Sequence, residues 1–301
     1  MSDLNLIVVL GPTASGKTHF GVQLAQQLNG EIISADSRQV FRGMDIGTGK
    51  DLAEYGDTPF HLIDILDSGA EFSVFAFQKL FYQTFDEITD RNKLPILVGG
   101  TGLYLDAALR GYRMIEVAEN PELRDQLQEV PLASLQQRLL KLRPQQHNSS
   151  DLDDRDRLIR AIEIAEGETV ASNAQPAPAE LNPLIFGIRW DRSVLRQRIT
   201  SRLKQRLNEG MIEEVEQLHS AGVSWERLDY YGLEYRFIAQ HLQGKLNRND
   251  MTQKLNSAIH QFAKRQETWF RRMERQGTEI HWLDGTGDLL TDALNILSKG
   301  N

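Results

Sequence analysis

The chain has 301 residues, no cysteine, and 34 basic against 42 acidic side chains for a net charge of −8. That length accommodates a large α/β domain with a second, smaller unit. The missing cysteines exclude disulfides, Cys-type zinc sites and a thiol nucleophile, in keeping with a reducing cytoplasm, and the acidic balance excludes a protein coated in nucleic acid while leaving room for local basic patches.

The N-terminus runs into an apolar segment without a basic leader, and no apolar run approaches the roughly 18 residues of a membrane span, so a cytoplasmic chain free of the membrane is expected. That first segment, Leu4 to Leu10, reads as a strand and feeds Gly11-Pro12-Thr13-Ala14-Ser15-Gly16-Lys17-Thr18, which is G-x-x-x-x-G-K-[ST] in the setting the motif requires. Small residues let successive backbone N–H groups converge on phosphate oxygens, and the helix that opens at Lys17 adds its positive end. Lys17 is placed to neutralise the outer phosphates, and the Thr18 hydroxyl to hold an Mg2+ that bridges them. Phe20, Val22, Leu24, Ala25 and Leu28 continue as a helix that Asn29-Gly30 ends.

Glu31 to Ala35 is the second strand and delivers Asp36-Ser37-Arg38-Gln39 at its C-terminal end, which faces the ligand crevice in an open parallel sheet. From spacing alone, Asp36 is either a ligand-facing carboxylate or a turn cap. Val40 to Lys50, with its glycines, Arg42, Asp45 and Thr48, reads as a ligand-facing loop. Phe60 to Leu66 is the next strand, and His61 beside it reads as a hydrogen-bonded structural residue. A helix begins at Ser73 and keeps its apolar spacing through Leu80, Phe81, Phe85 and Ile88. Pro95 to Val98 then runs into Gly99-Gly100-Thr101-Gly102. Either the backbone passes close to a ligand there, with the Thr101 hydroxyl in the crevice, or the glycines serve tight helix–strand packing.

Residues 111–150 change to helical stretches rich in Gln, Leu and Arg, most plainly Leu132 to Leu142, and read as a small all-helical insertion between core segments 1–110 and 151–301. Leu152 to Glu163 is an amphipathic helix with alternating charges, and Glu168 to Pro183 is a linker. After a buried strand, Leu184 to Ile188, comes a helix with Arg192, Arg196, Arg198, Arg202, Lys204 and Arg206. Its Arg198, Arg202 and Arg206 share a face beside Leu195, Ile199 and Leu203, which predicts contact with phosphate. His260 to Arg272 interleaves aromatics with cations, the mixture that stacks on RNA bases and neutralises their backbone.

These parts serve three readings. In a small-molecule kinase Asp36 would activate a hydroxyl acceptor; in a group transferase diphosphate would leave carbon while Asp36 receives a proton from the nucleophile; in a nucleotide-dependent RNA-binding protein the bound nucleotide would only switch the protein's shape.

The segments GPTASGKT, ADSRQVFRGMDIGTGK, FHLIDI, FSVFAFQ, PILVGGTGLYL, DRDRLIRAIE, DRSVLRQRITSRLKQRLNEGMIEEV, YGLEYR and AKRQETWFRR follow one another in the order and spacing of the tRNA dimethylallyltransferases, and the resemblance spans about Leu6 to Leu283. It implies a P-loop NTPase-like α/β fold, a parallel sheet with helices on both faces, that takes dimethylallyl diphosphate in place of a nucleoside triphosphate. It also implies Mg2+ as cofactor and transfer of the five-carbon unit to the exocyclic amino group of the adenosine just 3′ of a tRNA anticodon, with no obligate protein partner. By that resemblance the phosphate loop is Gly11 to Thr18, with Lys17 and Thr18 also catalytic. The general base is Asp36; Asp36, Ser37, Arg38, Gln39 and Thr101 meet the tRNA, Thr101 also serving catalysis; Asp156, Arg157, Leu158, Ile159 and Arg160 form a further tRNA-contact helix; and Arg198 and Arg202 lie in the diphosphate-binding helix, Arg198 counted with the catalytic residues. The insertion would grip the anticodon stem, and the reactive base would swing out of its loop. Relatives that prenylate free adenine nucleotides share the core motifs; the two basic helices favour tRNA. Gly232-Leu233-Glu234-Tyr235-Arg236 departs from a GYKE-like turn of many members.

Overall fold

In a computed structural model, which describes residues 4–111, 117–144, 152, 154–170 and 179–299, the apolar runs form a six-stranded sheet in the order β3-β2-β4-β1-β5-β6. In chain order the elements are β1 (Leu6–Leu10), α1 (Lys17–Leu28), β2 (Gly30–Ala35), β3 (Phe60–His61), α2 (Val74–Asp90), β4 (Leu94–Gly99), α3 (Gly102–Arg110), α4 (Pro121–Gln128), α5 (Leu132–Leu142), α6 (Arg155–Val170), β5 (Pro183–Arg189), α7 (Arg192–Asn208), α8 (Met211–Ser220), α9 (Trp225–Tyr230), α10 (Leu233–Leu242), α11 (Arg248–Arg275), β6 (His281–Asp284) and α12 (Leu289–Lys299). Every strand pairing is parallel. Parallel strands are covered on both faces, which is why β1 reads LIVVL without alternation and is buried throughout. Leu6, Val8 and Leu10 point into one apolar layer with α2, α3, α7 and α11; Ile7 and Val9 point into the other, with α1 and α12.

Local chemistry sets the helix starts. Ser73 Oγ accepts the Ala76 N–H at 3.1 Å to open α2, and the Asp191 carboxylate accepts the Ser193 N–H at 2.7 Å to open α7. Two expectations change. The Phe60 to Leu66 strand stops at His61, because Leu62 (φ 62°) and Asp64 (φ 54°) turn left-handed and Asp64 swings inward to pair with Lys50. β6 and α12 extend the sheet and its outer layer beyond the elements expected from the sequence.

The chain divides into two compact units, residues 1–111 with 179–301, and 112–178. The smaller unit therefore takes in α6, which a boundary at residue 150 leaves in the core. The reason is packing: Leu158 and Ile162 of α6 are fully buried against Leu135 and Leu139 of α5. The described part of the expected linker is helical as far as Val170. None of the described helices is long and apolar enough to cross a membrane.

Candidate active site

Register brings the key loops to one edge. Leu10 pairs with Gly99 and Gly187, and Ala35 pairs with Gly99, so Gly11, Asp36 and Gly100 leave the sheet side by side at the C-terminal ends of β1, β2 and β4. β4 separates the other two, which puts the starts of the phosphate loop and of the Asp36 turn roughly 10 Å apart.

The phosphate loop is braced by Trp190 and Arg198. Ala14 and Gly16 take left-handed φ values of 62° and 92°. Arg198 Nε donates to the Ala14 carbonyl at 2.9 Å while its guanidinium lies 4.2 Å from the Trp190 ring, and Trp190 Nε1 donates to the Ser15 carbonyl at 2.9 Å. With these carbonyls drawn away, the N–H groups of the first turn of α1, which no helix satisfies internally, remain for an anion. In front lies an open cleft of about 360 Å³ whose lining includes Lys17, Thr18, Asp51, Arg198, Arg202 and Arg206. Its cations crowd one another. Burial first, then Arg202 and also Arg206, push the Lys17 ammonium down to about 8 against the opposing pull of Asp36; burial and then Arg202 likewise lower Arg198 and Arg206. Such a cleft favours a polyanion.

Asp36 is the turn cap that the sequence allowed. Its Oδ1 accepts the N–H groups of Arg38 and Gln39 at 2.8 and 3.3 Å, a turn cap that fixes the carboxylate while its charge acts on Lys17. Thr101 Oγ1 accepts the Ser37 N–H at 3.3 Å and its N–H donates to the Ala35 carbonyl at 3.3 Å, so this hydroxyl does stand between the ends of β2 and β4. The glycines around it answer to packing: a Cβ on Gly99 would overlap the Ala35 backbone, on Gly100 the Gln266 amide, and on Gly102 the Trp269 ring. Arg38 lies 5.1 Å from the half-exposed Tyr230 ring at the rim.

Several expected contacts are engaged inside the protein. Gln39 is buried, accepting from Ser34 Oγ and donating to the Gly49 carbonyl, both at 3.0 Å, so its side chain does not face the crevice. The Val40 to Lys50 loop is packed where a ligand-facing one was expected: Lys50 is fully buried, donating to the Phe41 carbonyl (2.7 Å), Asp45 (2.6 Å) and Asp64. Glu214 accepts from the N–H groups of Asp45, Ile46 and Gly47 at 2.8, 2.6 and 3.0 Å. Tyr235, from the turn that departs from GYKE, donates to the same carboxylate at 2.7 Å. In the smaller unit Leu158 and Ile159 are core residues and Arg160 pairs with Glu163, which leaves Asp156 and Arg157 exposed. His61 bonds Glu31 at 2.7 Å, as a structural histidine should.

The residue that sequence reasoning passed over is Gln266. Buried on α11, it accepts the Thr13 N–H and donates to the Gly100 carbonyl, each at 2.8 Å, and so clamps the phosphate loop to the GGTG turn. Its signal was an amide in the apolar stripe Met251, Leu255, Ile259, Ala263, Phe270 and Met273. Trp269, expected on an RNA face, packs instead against Gly102.

Among the described residues no group of three or more His, Asp or Glu could hold a metal. An Mg2+ that keeps its waters and takes phosphate oxygens would need only one or two protein ligands, and the Thr18 hydroxyl, in the cleft lining beside Lys17, is of a kind that could serve as one.

A model of the IPP transferase family matches residues 39–273 and one of the isopentenyl transferase family matches residues 4–58. The chain is 63% identical over 292 residues to tRNA dimethylallyltransferase 2 of Syntrophotalea carbinolica (97% of this chain, 98% of the relative) and 54% identical over 300 residues to that of Shewanella sediminis (99% of each). Among solved structures it is similar to the full-length tRNA isopentenylpyrophosphate transferase of Bacillus halodurans, with TM-score 0.73 and 33% identity over 98% of this chain and 96% of that one. It is also similar to a eukaryotic dimethylallyltransferase acting on tRNA, with TM-score 0.76 and 25% identity over 94% of this chain and 74% of that one. With a parallel sheet, a phosphate loop and a family match over most of its length, the chain belongs to the tRNA dimethylallyltransferases.

Proposed function

We propose that this chain transfers a dimethylallyl group from dimethylallyl diphosphate to the exocyclic amino group of the adenosine 3′ to a tRNA anticodon, releasing diphosphate. The observation that carries this reading is a cleft lined by Lys17, Arg198, Arg202 and Arg206 on a phosphate loop, with one capped carboxylate, Asp36, at a nearby strand end. The N–C bond forms as the C–O bond to diphosphate breaks. Lys17, Arg198 and Arg202 take up the charge that collects on the leaving group, and the proton released by the amino nitrogen goes to Asp36. Thr18 would hold an Mg2+ ion, which would supply further positive charge for that departure. Thr101 fixes the Asp36 turn through Ser37. Ser37 and Arg38 border the entrance for the swung-out base, and Asp156 and Arg157 on the smaller unit offer contacts to the anticodon stem.

The test offers the protein labelled dimethylallyl diphosphate with tRNA, the same donor with AMP, and labelled ATP with small alcohols. Label is expected in tRNA alone. Label in AMP would convert the reading to an adenylate isopentenyltransferase, and phosphoryl transfer would convert it to a kinase.

A further inference from the structure

The cation cleft holds an arginine that no described residue fully answers. Arg206 is 9% exposed, and its Nη2 is buried without a hydrogen bond to any described residue. The nearest opposite charge is Asp51 Oδ2 at 3.6 Å, and that carboxylate is already paired with Arg202. A buried guanidinium with a free N–H is costly unless something completes it. Glu234 borders the same inner end, but burial raises its carboxyl and favours the neutral form. Asp51 opens a short 3-10 turn, Leu52–Tyr55, that is pinned by the buried Tyr55 while the Asp51 side chain stays open to solvent. Its backbone is left-handed (φ 47°), its side chain is 37% exposed, and the residues after it, Leu52, Ala53 and Glu54, are all exposed. Of the carboxylates that line the cleft, Asp51, Glu54 and Glu209, Asp51 is the one within 4 Å of Arg202 and Arg206.

We propose that Asp51 is a displaceable counter-anion, and that its departure on substrate binding hands both Arg202 and Arg206 to the diphosphate, which makes Arg206 a further binding residue for the leaving group. This rests on the reading of the cleft as a diphosphate site. A diphosphate brings more charge and more acceptor oxygens than one carboxylate, and two guanidinium forks match it better than they match a shared Asp51. With its side chain 37% exposed, Asp51 can turn to solvent while the 3-10 turn behind it stays in place.

Calorimetric titration with inorganic pyrophosphate at pH 7 tests this on the full chain and on Asp51→Asn, Arg206→Met and the double variant. Asparagine keeps the shape and tolerates the left-handed backbone. Asp51→Asn is expected to bind about tenfold more tightly and Arg206→Met about tenfold more weakly. In the double variant the gain from asparagine should shrink to about threefold or less, because the two residues act on one another. Asp51→Asn binding no more tightly than the parent overturns the proposal even if Arg206→Met fails to fold, and so does an unchanged affinity of a folded Arg206→Met. A parent chain that does not bind pyrophosphate at all removes the diphosphate reading itself, and this inference with it.

Discussion

Lys17 and Asp36 work within one field, and each gives a prediction. Burial and the neighbouring arginines leave Lys17 titrating near 8, well below an ordinary lysine. An anion in the cleft favours the ammonium form, so pyrophosphate affinity should be level below about pH 7 and fall as the pH rises through 8, by up to about tenfold per unit. Lys17→Arg, charged throughout, should lack that step; the same step in both proteins would assign it to the ligand. Asp36→Asn keeps an oxygen for the Arg38 and Gln39 N–H groups and loses only the base. It should cut the rate of transfer to tRNA about 10²–10⁴-fold while pyrophosphate affinity stays level or tightens. Equal loss of both, measured by single-turnover assay and calorimetry, would make Asp36 a structural cap alone.

At the scale of elements, what was legible in the sequence was what is local. The β1-loop-α1 unit, the strand that presents Asp36 and the strand that enters GGTG all write their apolar runs and turn residues within a few positions, so the elements could be read, while the order and register of the strands came from the structure. The braces were not legible, because each joins distant parts of the chain. Gln266 reaches back 253 positions to Thr13, and Glu214 reaches 169 to Asp45. The Val40 to Lys50 loop looked ligand-facing because its polar groups had no visible partner in sequence; folding supplies them from Asp64 and Glu214. Trp269 misled in the opposite way, since an aromatic among cations suits RNA equally well until Gly102 is seen beneath it. Gln266→Leu tests the clamp. It strands the Thr13 N–H and the Gly100 carbonyl, so the chain should lose about 2 kcal/mol in a denaturant titration and bind pyrophosphate more weakly. Lost stability with unchanged affinity would confine Gln266 to the core.

For the whole molecule, the two units keep separate apolar interiors, so the tasks proposed for them can be tested apart. The described core of the smaller unit, with Leu127, Leu135, Leu139, Leu158, Ile159 and Ile162, draws on its own three helices, and none of its members lines the phosphate cleft. At net −8 the chain as a whole repels a polyanion, so on the proposed reading tRNA is won by particular surfaces and the diphosphate by the cation cleft. Leu158→Ala separates the two tasks. Leu158 is fully buried between α5 and α6, and its truncation should cost the smaller unit about 3 kcal/mol and raise amide exchange along α5 and α6. Calorimetry should then show pyrophosphate affinity unchanged while the tRNA concentration needed for half-maximal transfer rises, because the surface around Arg157 no longer holds one shape. A parallel fall in pyrophosphate affinity would mean that loosening the helices reaches the phosphate loop. An unchanged tRNA requirement, with the exchange raised, would move tRNA recognition onto the larger unit, to the rim at Arg38 and Tyr230.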